Sequence, residues 1–180
     1  MNQRPAFAIH PLNDIDKISE LGRQTYLPHY PHLWYDGGVE WYMKKCFSSQ
    51  QLEVDLANPF LSYYAICVEG KEAGLLKLVK YKAPFDLTPQ TFLYLEKIYF
   101  LKEFTGLGLG QKTIAWVAEQ ARLWGMTDIW LMAMDSSHKA IASYEKAGFE
   151  RIGRTRLDDE EFKLLKPELR GMVVLQKPLV

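Results

Sequence analysis

The feature that most constrains this chain is a change of hydrophobic period at a cluster of glycines, Gly106-Leu107-Gly108-Leu109-Gly110. Downstream, Ile114, Val117, Ala118 and Ala121 recur at helical spacing and form an apolar stripe that Gly125 terminates. Upstream, the stretches 60–68, 73–81 and 91–101 are rich in aromatic and β-branched residues and read as strands. A turn at Glu69-Gly70-Lys71 joins the first two, and a proline-containing loop over 83–89 joins the next. Strands linked in this way predict an antiparallel meander rather than the start of a doubly wound parallel sheet.

The flanking segments complete a mixed pattern. Phe7-Ala8-Ile9 reads as a short first strand stopped by Pro11, and Asp14 as the cap of a helix carrying Ile15, Ile18, Leu21 and Tyr26 that ends before Pro28. The aromatic stretch 29–36 reads as a structured loop, followed by helical stretches over 38–47 and 49–56. Beyond the glycines, 129–133 is a continuous apolar strand, and Asp135-Ser136-Ser137 offers N-caps for a short helix stopped by Gly148. Two closing strands, 149–157 and 172–176, flank a charged loop over 158–170. The expectation is an α/β (α+β mixed) fold in one domain over 1–180, an ordinary domain size.

Composition narrows the partners. Lys and Arg number 22 against 22 Asp and Glu, so nothing points to nucleic acid or to a polybasic membrane surface. No apolar run approaches the roughly 18 residues that span a bilayer, and Met1-Asn2-Gln3-Arg4-Pro5 lacks a signal-peptide core. A cytoplasmic location is expected. Cys46 and Cys67 suit neither a disulfide framework nor a zinc site, and no metal is expected.

A strand, closely spaced glycines and a helix together suit an anion. Glycine lets the backbone approach a ligand, and the first helical amides lack internal partners while the helix dipole favours negative charge. Two nucleotide motifs fail in detail. A dinucleotide fingerprint starting at Gly106 needs glycine where Gln111 stands, and so does a phosphate loop ending in Lys112-Thr113. The upstream antiparallel strands are also wrong for the latter, though Lys112 and Thr113 keep a nucleotide-binding alternative in view.

A third pattern fits better. Thr105-Gly106-Leu107-Gly108-Leu109-Gly110 resembles the coenzyme A loop Q/R-x-x-G-x-G/A of the GNAT acetyltransferases, departing where Thr105 replaces Gln or Arg. Ala140-Ile141-Ala142-Ser143-Tyr144-Glu145-Lys146-Ala147-Gly148-Phe149 resembles that superfamily's A-I-x-x-Y-x-K-x-G-F segment, one helix and one strand downstream. The usual Asn before it is Ser137. Within the superfamily, the segment 95–104 and the pieces 23–26 and 73–78 are similar to PaiA-type polyamine acetyltransferases.

The resemblance implies a GNAT fold: a mostly antiparallel, twisted sheet of six or seven strands with one splayed pair and helices on both faces. It implies acetyl-CoA as cosubstrate. Ile98, Tyr99 and Phe100 would meet the pantetheine arm, and Thr105, Gly106, Leu107, Gly108, Leu109, Gly110 and Gln111 the pyrophosphate, with Ser137, Tyr144 and Lys146 along the coenzyme. Thr105 is too short to replace an Arg contact, leaving its backbone. The chemistry would be direct attack by an amine in a ternary complex. A primary amine of pKa about 10.4 costs roughly 4.6 kcal/mol to deprotonate at pH 7. Glu96 is the candidate base, working through water, and strand alternation sets it opposite Lys97. The alternative for Glu96 is an ion pair with a neighbouring Lys or Arg. Tyr144 is the family's acid for the leaving thiolate.

The acceptor would be a small amine, a polyamine by the narrower resemblance, with a protein N-terminus or lysine as alternative. The loop 29–35 could wall its site, and Asp158-Asp159-Glu160-Glu161 is either an attractor for a polycation or a solvated turn. A coenzyme-binding sensor without catalysis would keep the glycines and dispense with Glu96 or Tyr144. The sequence leaves a homodimer open.

Overall fold

A computed structural model describes residues 6–179; Met1 to Pro5, read above for a signal core, and Val180 lie outside the described residues. Seven strands form one sheet in the order β1-β2-β3-β4-β5-β7-β6. They are β1 (Phe7–Pro11), β2 (Leu61–Val68), β3 (Lys71–Lys80), β4 (Phe92–Phe100), β5 (Asp128–Met134), β6 (Glu150–Arg156) and β7 (Gly171–Pro178). Every neighbouring pair is antiparallel except β4 and β5, which run parallel. The meander arises from the β2–β3 turn, where Glu69 (φ 51°) and Gly70 (φ 74°) are both left-handed, the backbone that matches strand twist in a tight hairpin. Strand β1 includes Pro11, which had been expected to end it. Since β1 is the sheet's edge, the missing proline N–H leaves no inner ladder bond unmade.

Period-two alternation divides the strands between two cores. Tyr63, Ala65, Cys67 and Leu75 face α1 (Ile15–Tyr26), α2 (Gly38–Phe47) and α3 (Ser49–Ala57), where they meet Ile18, Leu21, Met43, Phe47 and Leu52. Their neighbours Tyr64, Ile66, Leu76 and Leu78 face α4 (Leu109–Leu123), whose stripe Ile114, Val117, Ala118 and Ala121 is buried. Asp14 caps α1 as expected, accepting the Lys17 amide at 3.0 Å. The short helix α5 (His138–Lys146) buries Ile141 in the α4-side core.

The functional consequence lies in the parallel pair. Strands β4 and β5 pair only at Phe92–Asp128, Leu93–Ile129 and Tyr94–Trp130. The Tyr94 and Trp130 rings stack at 4.1 Å at the last paired step. Beyond it each strand keeps only its outer neighbour: β4 follows β3 to the Phe100–Gly74 pair, and β5 follows β7 to Met134–Met172. The sheet therefore opens into a cleft between two strands that stay paired on their far sides. Splay, strand number and helices on both faces match the expected fold.

Candidate active site

Two cavities meet at this cleft. The smaller, about 170 Å³, is walled by β4 from Leu95 to Tyr99, by β5 from Leu131 to Met134, and by Tyr26, Tyr30, Ser137, Ala140, Tyr144 and Met172. The larger, about 400 Å³, lies toward α2 and α3 and takes in Tyr42, Cys46, Asp55, Lys77 and Lys82. Glu96, Lys97, Tyr99, Met132 and Met172 line both, so they form the pinch between them. An activated group entering on one side and an acceptor on the other would meet there.

The glycine turn lies between the splayed end of β4 and the start of α4. Gly106 (φ 77°) and Gly108 (φ 73°) are left-handed, and a Cβ built on either would meet nothing within 4 Å. These glycines answer a backbone need, and the space above them is open. Gly108 caps α4 without any side-chain hydrogen bond. Thr105 N–H bonds to the Lys102 carbonyl and Lys112 N–H to the Gly108 carbonyl. Among the described residues, no amide from Gly106 to Gln111 between them finds a protein acceptor. A run of free donors at a helix N-terminus, with open space in front, fits a diphosphate. The Thr105 hydroxyl also turns to the Lys102 carbonyl, at 2.7 Å, so both Thr105 donors, including the backbone N–H expected to meet the pyrophosphate, are engaged within the chain. Gln111 donates from Nε2 to the Ser143 carbonyl at 2.7 Å, tying α4 to α5.

The side chains required by a nucleotide phosphate loop point elsewhere. Thr113 is fully buried with its hydroxyl unpartnered, and the Lys112 ammonium lies 5.8 Å from the Phe7 ring centroid. That alternative fails on geometry.

The acid and base candidates both line the smaller cavity. Burial, with the neighbouring phenols of Tyr30 and Tyr99, pushes the Tyr144 hydroxyl well above its ordinary value, so it stays protonated as a donor must. Glu96 differs from expectation. Residue pairing jumps from Lys97 opposite Lys77 to Leu95 opposite Leu78, which makes Glu96 the extra residue of a β-bulge. The bulge breaks strict alternation, and the Lys97 ammonium lies 3.5 Å from the Glu96 carboxylate instead of on the opposite face. Lys77 binds the same carboxylate at 2.9 Å and Asp55 at 2.8 Å, while Asp55 accepts from the Tyr63 hydroxyl at 2.6 Å. Burial alone would raise Glu96, but Lys97, Lys77 and Lys82 outweigh it and hold the carboxyl below its usual range. Burial would likewise lower Lys97; Tyr99, Cys46, Glu96 and Tyr63 reverse this and keep it firmly protonated. Among the described residues, no group of three or more His, Cys, Asp or Glu could hold a metal ion. No helix there is long and apolar enough to cross a membrane.

The family model described as "Acetyltransferase (GNAT) family" matches residues 17–149, which spans the splayed pair, the glycine turn and α5. The chain belongs to the GNAT acetyltransferase family. It is 25% identical over 139 residues to an uncharacterized N-acetyltransferase in the pepI 3′ region of Lactobacillus delbrueckii subsp. lactis, covering 77% of this chain and 80% of that one. It is 32% identical over 114 residues to the uncharacterized N-acetyltransferase YjgM of Escherichia coli (strain K12), covering 61% and 66% respectively. Two solved structures share the fold. The PaiA N-acetyltransferase of Thermoplasma acidophilum, in complex with coenzyme A, superposes with a TM-score of 0.72 at 14% identity, covering 96% of this chain and 99% of that one. The spermidine/spermine N-acetyltransferase SpeG from Vibrio cholerae gives a TM-score of 0.67 at 14% identity, covering 96% and 92%.

As a GNAT N-acetyltransferase, the protein uses acetyl-CoA, and the free amides of 106–111 suit that coenzyme's diphosphate. Of the residues singled out in the sequence, Glu96, Ile98, Tyr99, Ser137 and Tyr144 converge on the smaller cavity. Thr105 to Gln111 form the turn outside it. The Phe100 ring packs in the core beneath that turn, and its carbonyl lies 3.2 Å from His29 Nε2. Lys146 is exposed in the last turn of α5 and does not line the cavity. The ion-pair alternative for Glu96 is the arrangement present, with Lys77 and Lys97 as its partners; sequence reasoning missed Asp55 and Lys77 and had set Lys97 on the opposite face. A lysine inside the apolar run Leu75-Leu76-Lys77-Leu78, and another beside Glu96 in a second strand, was the available signal, because a charge buried in a sheet must be paired. Of the aromatic loop, Tyr30 reaches the cavity, whereas the Trp34 indole donates to the Tyr26 hydroxyl at 2.9 Å within the core.

Proposed function

We propose that this enzyme transfers the acetyl group of acetyl-CoA to a small primary amine by direct attack at the pinch between the two cavities. Acetyl-CoA supplies an activated thioester whose leaving group is a thiolate. Gly106 to Gln111 hold the diphosphate, and the open edge of β4 beyond Tyr94 guides the rest of the coenzyme toward Tyr144. Tyr144 keeps its proton at neutral pH and delivers it, as a hydrogen bond or outright, to the departing sulfur. Glu96 remains ionised between its lysines and accepts the ammonium proton of the acceptor through water. Cys67 is a poor nucleophile, since burial and then Glu72 push its thiol up, which favours direct transfer over an acetylated cysteine.

One observation supports the reading above the others: Glu96 and Tyr144, picked for opposite proton tasks, wall the same small cavity. A polyamine acceptor has the names of solved neighbours in its favour, since SpeG acts on spermidine or spermine by its description. Three of the four acidic residues of the run 158–161 are engaged within the chain, however. Asp158 caps the amides of Glu160 and Glu161, Asp159 binds Arg156 and Arg170, and Glu161 binds Lys45. Thiol release from acetyl-CoA, followed with a panel of amines, tests the reading. Acceptor-dependent release supports it. Tight acetyl-CoA binding without release for any amine would leave the chain a coenzyme sensor.

A further inference from the structure

The larger cavity carries the charge of an anion site. Lys45, Lys77, Lys82 and Lys97 line it against only Asp55 and Glu96. Lys45 is answered by Glu161 from outside the lining. Around the pinch, three ammonium groups (Lys77, Lys82, Lys97) then face two carboxylates (Asp55, Glu96), a surplus of one positive charge. Lys77 sits between both carboxylates, so Lys97, 7% exposed, shares at 3.5 Å a carboxylate already engaged at 2.9 Å. Among the described residues, Lys82 has no carboxylate in ion-pair reach. A buried ammonium with half a partner favours an incoming anion.

The aromatic faces that would otherwise receive cations are occupied by the protein's own lysines. Lys97 lies 5.7 Å from the Tyr42 centroid, Lys82 4.5 Å from Tyr94, and Lys45 5.9 Å from Phe162. A polyamine entering here would find both carboxylates already paired with lysines and three of the four aromatic rings of the lining already facing one. Met132, Leu157, Phe162 and Met172 leave the rest of the lining apolar.

Resting on the acetyltransferase reading above, we propose that the acceptor is an apolar amine that also carries a carboxylate, an amino acid by chemical class, with Lys97 and Lys82 binding that carboxylate. The same lysines disfavour the acceptor's ammonium form by like-charge repulsion, so the group that anchors the substrate also eases its deprotonation. Lys82, exposed at the rim, sets specificity without touching the coenzyme side.

The test compares matched acceptors with and without the carboxylate: L-phenylalanine against phenethylamine, and L-leucine against isoamylamine, with spermidine alongside. Thiol release by the full chain with acetyl-CoA should give kcat/KM higher for each amino acid by about ten- to a hundredfold, the size of one charge-assisted hydrogen bond. Lys82→Glu should shrink that ratio about tenfold, and Lys82→Arg should restore it. Equal or better use of isoamylamine, phenethylamine or spermidine overturns the inference while leaving amine acetylation intact. An unchanged ratio in Lys82→Glu also overturns it, as does no release with any amino acid while acetyl-CoA still binds. Failure of the wild-type chain to bind acetyl-CoA would instead strike the acetyltransferase reading itself.

Discussion

Replacing Lys77 with methionine tests whether the ionic cluster at the pinch is structurally necessary. The substitution keeps an unbranched side chain of similar size but removes the ammonium that joins Asp55 at 2.8 Å and Glu96 at 2.9 Å. Both carboxylates are largely covered, with side-chain exposures of 7% and 21%. Breaking a buried pair from one side costs about 3–5 kcal/mol, because the remaining charge is stranded. Here Asp55 keeps the Tyr63 hydroxyl and Gln51, and Glu96 keeps Lys97, so the lower end applies, about 3 kcal/mol. For a chain of this size each kcal/mol lowers Tm by roughly 2–4 °C, giving a fall of about 6–12 °C. Urea and thermal unfolding of Lys77→Met would measure it, and adding Asp55→Asn should recover part of the loss by removing the stranded charge. A loss below about 1 kcal/mol, or a double variant no better than the single one, would refute this account of the cluster.

Other outcomes follow from the same geometry. Tyr144→Phe should lower kcat about a hundredfold with little change in acetyl-CoA affinity, read by thiol release and calorimetry; wild-type turnover would remove the acid role. Asp55 and Glu96 are both held below their ordinary values of 3.8 and 4.5, by Lys77 with Tyr63 and by Lys97 with Lys77 respectively, against the upward pull of burial. A depressed carboxyl stabilises the fold above its unfolded value and loses that contribution as pH falls through the folded one. Unfolding free energy should therefore be flat across neutral pH and drop below about pH 4, and the drop should shrink in Asp55→Asn. A decline that begins near pH 6 would assign the acid sensitivity to other groups.

Some of this was readable before any coordinates. The β2–β3 hairpin and the α4 stripe follow from period and turn chemistry, because local sequence decides both. The glycine turn at Thr105–Gly110 and the helix within Ala140–Phe149 were legible because backbone needs, namely left-handed glycines and a helix start, write themselves into residue type. The larger cavity was harder. Glu96 and Lys97 read as opposite faces of a strand, and only the bulge, which depends on how β4 registers with β3, puts them together. Asp55 joins them from a helix more than twenty residues before Lys77, a contact created by packing α3 on the sheet. The acidic run 158–161 was left open between an attractor and a solvated turn for a similar reason: Arg156 pairs with Asp159 locally, but Lys45 and Arg170 reach the run from distant positions through packing.

The central claim is that free amides from Gly106 to Gln111 receive the coenzyme's diphosphate. Amide NMR shifts of the labelled full chain, titrated with coenzyme A, test it most directly. The expected result is saturable movement concentrated in residues 106–111, abolished in Gly108→Val, whose β-branched side chain is strained at a φ of 73° and fills the open space. Saturable binding that leaves those six amides unmoved and shifts another cleft instead would contradict it.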